Sequence, residues 1–181
     1  MLRPIAQGDL LLRPLSRSDS PALFALTEGN RQYLRQWLPW LDATLTAEDT
    51  ERFIEESCQR HTRGEGLEAG IWQGTQLIGV IGMEIDWGSR RGVVGYWLGA
   101  RYQGRGAMSW ACGSLVECAF AQLGLNRLEI RCAPDNLRSR SLAERLGFRQ
   151  EGLLRQAEWL YDHFVDHVVY GLLAAEWQET R

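Results

Sequence analysis

The sequence predicts an α+β fold built on a central mixed sheet, and three observations carry that expectation. Leu67–Trp72, Gln76–Ile85 and Arg91–Leu98 are rich in β-branched and aromatic residues, and Gly74 and the Gly88–Ser89 pair separate them as turns separate an antiparallel meander. Helical periodicity flanks this block on both sides. The resulting order, roughly β-α-α-β-β-β-α-β-α-β-β, lacks the regular strand–helix alternation of a doubly wound parallel sheet. A chain of 181 residues with 45% hydrophobic content fills one core and is short for two, so residues 1–181 read as a single domain.

Each element has its own signal. Leu10–Leu15 is a short strand, and Ser16 with Asp19 has the spacing of a capping box that opens a helix through Leu26. Leu34, Trp37, Leu38 and Leu41 recur at helical spacing, interrupted by Pro39. Thr46 and Asp49 repeat the capping box ahead of a helix to about His61. Beyond the meander, Ala107–Leu123 reads as a helix closed by Gly124. Leu128–Cys132 follows as a strand and Leu137–Leu146 as a helix ended by Gly147, before two last strands, Gly152–Tyr161 and Phe164–Leu173.

Composition excludes several function classes. The net charge of -3 gives no electrostatic case for nucleic acid or an anionic membrane. All 20 basic residues are Arg, which excludes a Schiff-base lysine. Cys58, Cys112, Cys118 and Cys132 form no CxxC pair and no disulfide framework. Met1–Leu15 carries Arg3, Asp9 and Arg13 instead of a signal peptide's apolar run, and no stretch approaches the ~20 apolar residues of a membrane span. The expected compartment is a reducing cytoplasm.

The segment from Tyr96 to Ala107 runs from strand through turn to helix. A helix N-terminus presents unpaired N–H groups and a positive dipole end, Gly104 and Gly106 clear side chains from it, and Arg101 and Arg105 add charge. This is an anion cradle suited to a pyrophosphate; a merely tight strand-to-helix turn is the plainer alternative. A dinucleotide fingerprint fails at Ser109, where its third glycine belongs, and no Gly-Lys-Ser/Thr follows for a phosphate loop.

Arg101-x-x-Gly104-x-Gly106 resembles the (Q/R)xxGxG/A signature with which GNAT N-acetyltransferases hold the pyrophosphate of acetyl-CoA. Asn136-x-x-Ser139 followed by Leu146–Gly147–Phe148 resembles the same superfamily's fourth motif. The block from Asn30 to Trp40 resembles the N-terminal region of the ribosomal-protein N-terminal acetyltransferases, the RimJ/RimL branch. The resemblance implies the GNAT fold, a mostly antiparallel twisted sheet of about seven strands flanked by helices. It implies acetyl-CoA as cosubstrate, no metal, and a homodimer. Trp97, Leu98, Gly99, Arg101, Gln103, Gly104, Arg105, Gly106, Ala107 and Asn136 are the cofactor-binding residues it implies.

Transfer from a thioester to an amine needs a proton acceptor for the ammonium, donors for the oxyanion and a proton for the departing thiolate. Glu158, in the strand Leu154–Leu160, is the candidate base, since apolar neighbours raise a carboxyl's pKa; an exposed strand glutamate or a structural ion pair with Arg155 or Arg131 is its alternative. Ser139 is the candidate acid, with helix capping as its plainer role. Tyr161 is the nearest tyrosine to the family's usual acid but falls out of place. By resemblance, the oxyanion donor is a backbone N–H near Leu98, Tyr96 to Leu98 line the pantetheine groove, and Asn136 bonds the pantetheine or the Ser139 helix. His61, His163 and His167 read as ordinary edge histidines, and the His163–His167 pair lacks a third metal ligand. An acyl intermediate on Cys132 is conceivable, but family precedent is direct attack.

Eight tryptophans are unusual at this length. Trp37 and Trp40 flank Pro39 and form either an aromatic wall for the acceptor or ordinary core packing, while Asp42, Glu48 and Asp49 stand close enough to attract a cationic amine. Three functions compete: Nα-acetylation of a protein or peptide, acetylation of a small amine, and an acyl-CoA sensor without turnover.

Overall fold

The computed structural model describes residues 3–179; the two residues at each end of the expected domain lie outside it. The strands are β1 (Ile5–Gln7), β2 (Leu10–Pro14), β3 (Gly66–Gln73), β4 (Gln76–Asp86), β5 (Arg91–Leu98), β6 (Arg127–Cys132), β7 (Arg149–Leu160) and β8 (His163–Leu173). They form one sheet in the order β1-β2-β3-β4-β5-β6-β8-β7. Every pairing is antiparallel except that of β5 with β6. The sheet has eight strands where about seven were expected. The addition is the three-residue β1, folded back on β2 through Gly8 at φ 61°.

The helices are α1 (Ser20–Glu28), α2 (Arg31–Leu34), α3 (Ala47–Arg63), α4 (Ala107–Glu117), α5 (Leu137–Arg145) and α6 (Ala174–Glu179). Both expected capping boxes form: Ser16 with Asp19 before α1, and Thr46 with Asp49 at the start of α3. Gly64 ends α3 at φ 72°. The helical run through Trp37 is cut short: α2 is a single turn, and Pro39 precedes a tight turn over Leu41–Ala43. The helix expected to reach Leu123 loosens after Glu117 into a π-turn over Cys118–Gln122, with Gly124 at φ 66° behind it.

Alternation divides the sheet into two buried faces. On one, Ile81, Met83, Val94, Leu98, Leu128 and Ile130 pack with Ala111, Leu115 and Val116 of α4 and Leu142 of α5. On the other, Leu77, Val80 and the indole of Trp72 pack with Leu23 of α1 and Ile54 of α3. The face under α1 and α3 also carries Glu68, Gly82 and Gly95, which stand in one row across β3, β4 and β5.

One interruption positions everything that follows. The β5–β6 ladder runs from Arg91↔Arg127 to Val94↔Ile130 and stops. Beyond it, Gly95–Leu98 pair only with β4 and Arg131–Cys132 only with β8. The two strands diverge, and each presents one edge of unpaired main-chain groups to the gap.

Candidate active site

A cleft of about 920 Å³ opens at this divergence. Trp97, Leu98, Gln103, Gly104, Arg105, Gly106, Ala107 and Asn136 line it, together with Ser139 and Glu158. Gly104 and Gly106 adopt φ 73° and 83°, the left-handed region that an L side chain resists, and a Cβ at either would meet nothing within 4 Å. The turn is therefore shaped for its backbone and leaves open space before the first N–H groups of α4, as an anionic diphosphate requires. Gly99 and Arg101 stand just outside the lining. Gly99 packs closely against Leu26, Asn30 and Tyr102, and the Arg101 guanidinium lies 4.7 Å over the Tyr102 ring.

The block preceding the meander holds this turn in place. Asn30 Oδ1 accepts from Ala100 N at 2.8 Å, and Gln103 Nε2 donates to Tyr33 Oη at 2.5 Å. Arg138 of α5 donates to Gln103 Oε1 from the other side. Asn136 caps α5, its Oδ1 accepting from Ser139 N at 3.2 Å. Because Asn136 does the capping, the Ser139 hydroxyl is released toward β5, 2.9 Å from Tyr96 Oη. Burial pushes the Tyr96 phenol well above its ordinary value, so it stays protonated. The neighbouring Cys132 thiol is also pushed up by burial, with the Ser139 hydrogen bond opposing, and a protonated thiol is a poor nucleophile.

Glu158 reaches the cleft through an irregularity that its sequence does not announce. Leu154 pairs with His167 and Glu158 with Val165, so β7 carries two more residues than β8 across this stretch. The excess is absorbed at Gln156, whose φ is 50° and whose N–H donates to Asp166 Oδ1 at 2.8 Å. Glu158 Oε2 stands 3.5 Å from His167 Nε2, in place of the ion pair with Arg155 or Arg131 that was weighed. His167 is thus not the ordinary edge histidine expected: it is mostly buried and lines the cleft. Tyr161 serves a different purpose from an acid, donating to Leu38 O at 2.5 Å and tying the β7–β8 turn to the Trp37–Trp40 loop.

A second cavity of about 620 Å³ lies under α1 and α3 and meets the cleft along Gly95–Trp97, Arg131 and His167. Trp37 lines the cleft and Trp40 the second cavity, half-buried, with Trp40 6.2 Å from the Trp97 ring. Neither is core packing. Asp42 is engaged by Arg35 at 2.8 Å, and the Asp49 carboxylate accepts from Thr46 N and Thr46 Oγ1 in the cap of α3, so these two are occupied rather than free for an acceptor. Glu68, missed in the sequence, lies in this cavity, where burial pushes its carboxyl up to about 7 against the opposing effect of Arg60.

Comparison with known proteins agrees with this geometry. The acetyltransferase (GNAT) domain family matches residues 9–149. A ribosomal-protein-serine acetyltransferase of Escherichia coli is 34% identical over 89% of this chain and 90% of its own. The RimL ribosomal L7/L12 α-N-protein acetyltransferase, solved with coenzyme A disulfide-bonded to one of its cysteines, superposes with TM-score 0.90 at 30% identity, covering 94% of this chain and 98% of its own. The microcin C7 self-immunity acetyltransferase MccE, solved with acetyl-CoA and AMP, superposes with TM-score 0.88 at 28% identity, covering 92% and 93%.

Proposed function

Since the chain belongs to the GNAT acetyltransferase family, we propose that it moves the acetyl group of acetyl-CoA onto the N-terminal α-amine of a protein or peptide, with ribosomal proteins as the model acceptors. The observation that carries this is the junction of two cavities at the β5–β6 gap: the cleft, bordered by the glycine turn and lined by Glu158 and Ser139, and the second cavity, bordered by Trp40 and α3.

Acetyl-CoA supplies the activated acyl group. The α4 N-terminus with Gly104 and Gly106 would hold its diphosphate, and the free edge of β5 its pantetheine amides. Glu158 takes a proton from the acceptor ammonium, and His167 at 3.5 Å orients the carboxylate. A main-chain N–H near Leu98 donates to the acetyl oxygen as charge develops there. The nitrogen–carbon bond forms and the carbon–sulfur bond breaks; Ser139 Oγ, backed by Tyr96, delivers a proton to the sulfur and recovers the second proton that the nitrogen releases as the amide forms. Direct attack fits the raised Cys132 thiol better than an acyl-cysteine. The presence of Glu158 and Ser139 on the cleft favours turnover over a sensor role.

The acceptor panel decides the substrate class. Peptides beginning with Ser, Ala or Met are expected to be acetylated far faster than polyamines, aminoglycosides or amino-acid derivatives. The MccE neighbour, solved with AMP, is the observation on the side of a small-molecule amine, and faster turnover of those compounds would overturn the peptide assignment. Action in the cytoplasm and pairing of two copies belong to the same proposal. Among the described residues, no helix is long and apolar enough to cross a membrane. Leu153, Leu154 and Trp159 on the edge strand β7 and Phe164 at the start of β8 leave apolar surface exposed, which favours a dimer detectable by light scattering.

A further inference from the structure

The face of the sheet under α3 holds a feature that the transfer chemistry leaves unused. Glu68, Gly82 and Gly95 are successive cross-strand partners, so the only side chain in this row is that of Glu68. The Glu68 carboxyl lies flat over Gly82: a Cβ there would stand 2.0 Å from Glu68 Oε2. A Cβ on Gly95 would meet nothing within 4 Å, so the trench continues open to the β5–β6 gap. Two strand spacings put Glu68 roughly 10 Å from that gap, about the reach of three extended residues.

The far end of the trench is polar, and its needs are unmet. Thr50 of α3 is 2% exposed, its Oγ1 has no hydrogen-bond partner among the described residues, and it borders the same cavity. Glu68 is approached by Arg60 at 3.8 Å, too far for a hydrogen bond. Glu56 and Glu84 border the cavity as well, while Arg131 is already engaged by Glu129 at 2.7 Å. Carboxylates therefore outnumber available cations, and the cavity favours a positive occupant.

We propose that Glu68 and Thr50 form an acceptor subsite for an ammonium or guanidinium group carried about 10 Å from the amine to be acetylated. Resting on the peptide reading above, this is a basic side chain at the second or third position of the acceptor. In a small-molecule acceptor the same chemistry is the distal ammonium of a diamine. The subsite sets specificity and takes no part in the transfer.

Steady-state kinetics on Ser-initiated peptides that differ only in Lys or norleucine at positions two and three test this, with a diamine and its monoamine analogue run in parallel. The wild type is expected to prefer the cationic member about tenfold or more in kcat/KM, through KM. E68Q is expected to lose that preference while its kcat on the neutral acceptor and its coenzyme A affinity stay unchanged. E68D should keep part of it. G82A, whose methyl displaces the carboxyl, should lose it as E68Q does. No preference in the wild type, or an equal preference in E68Q, overturns the proposal. If peptides are inert but the diamine shows the preference, the subsite stands and the peptide reading fails. If nothing turns over, calorimetry of the two peptides on coenzyme-saturated protein reads the same difference, and equal affinities overturn the subsite.

Discussion

A carboxyl held near neutrality inside a folded protein leaves a signature in stability that can be measured apart from any activity. Burial raises Glu68 from 4.5 to about 7, and Arg60, the largest opposing influence, stands 3.8 Å away. Each pH unit of displacement corresponds to about 1.4 kcal/mol, so ionising this group in the folded state costs up to about 3 kcal/mol. The sign follows from the raised value. Below about 4.5 the carboxyl is protonated in both states and the penalty is absent; as pH rises through about 7 the folded protein loses that advantage. E68Q keeps the shape and removes the ionisation. It should match the wild type in stability near pH 4 and exceed it by about 2–3 kcal/mol at pH 8.5, or roughly 5–10 °C in Tm for a chain of this size. Urea denaturation of both proteins from pH 4 to 8.5, read as the difference between the curves, cancels every other titrating group. Parallel curves across that range would refute the assignment of Glu68 as a buried, raised carboxyl.

Four further outcomes are expected. E158Q should lower kcat by about 10²–10⁴-fold, and H167N by much less; a larger loss in H167N would transfer the role of base to the imidazole. S139A should lower kcat roughly 10- to 100-fold with coenzyme A affinity unchanged by calorimetry, whereas weakened binding at normal kcat would make Ser139 a binding residue. G106A should fold, since its methyl meets no neighbour, but lose about 1–2 kcal/mol to the left-handed backbone and bind coenzyme A more weakly; unaltered affinity would remove this turn from the diphosphate site. D19N should cost about 1–2 kcal/mol at pH 7 in chemical denaturation. Burial raises the Asp19 carboxyl, but hydrogen bonds from Arg13 and Ser16 outweigh it and hold the group below its ordinary 3.8, so the gap to wild type should narrow as pH falls below that value.

The meander, the glycine turn and both capping boxes were legible because each depends on residues adjacent in the chain. β1 escaped notice because three residues make too short a pattern. The excess in β7 escaped because Arg155–Gln156–Ala157 contains no glycine to mark a bulge; Asp166, on the neighbouring strand, stabilises the left-handed Gln156. Glu158 could be named from its apolar strand neighbours and Ser139 through motif resemblance, but the tyrosine behind Ser139 is visible only once β5 and α5 are brought together. Glu68 had no signal at all. A lone carboxylate in an alternating strand looks like a solvent-facing residue, and only α3 lying over that face changes its character. His167 was misjudged for the same reason, since its importance comes from Glu158 across a register shift.

In the proposed reading, the early end of the β5–β6 ladder makes the sheet a structure that its coenzyme would complete. Four residues of β5 lack a partner strand on that side, and the pantetheine amides would supply the other half of the pattern. Occupancy should then be felt as mechanical closure: slower amide exchange along both rims, and a melting temperature that climbs with the logarithm of coenzyme concentration. Departure of the spent coenzyme would reopen the seam at every cycle, and a burst of acetylated product in the first turnover would mark that unzipping, rather than amide formation, as the slow step.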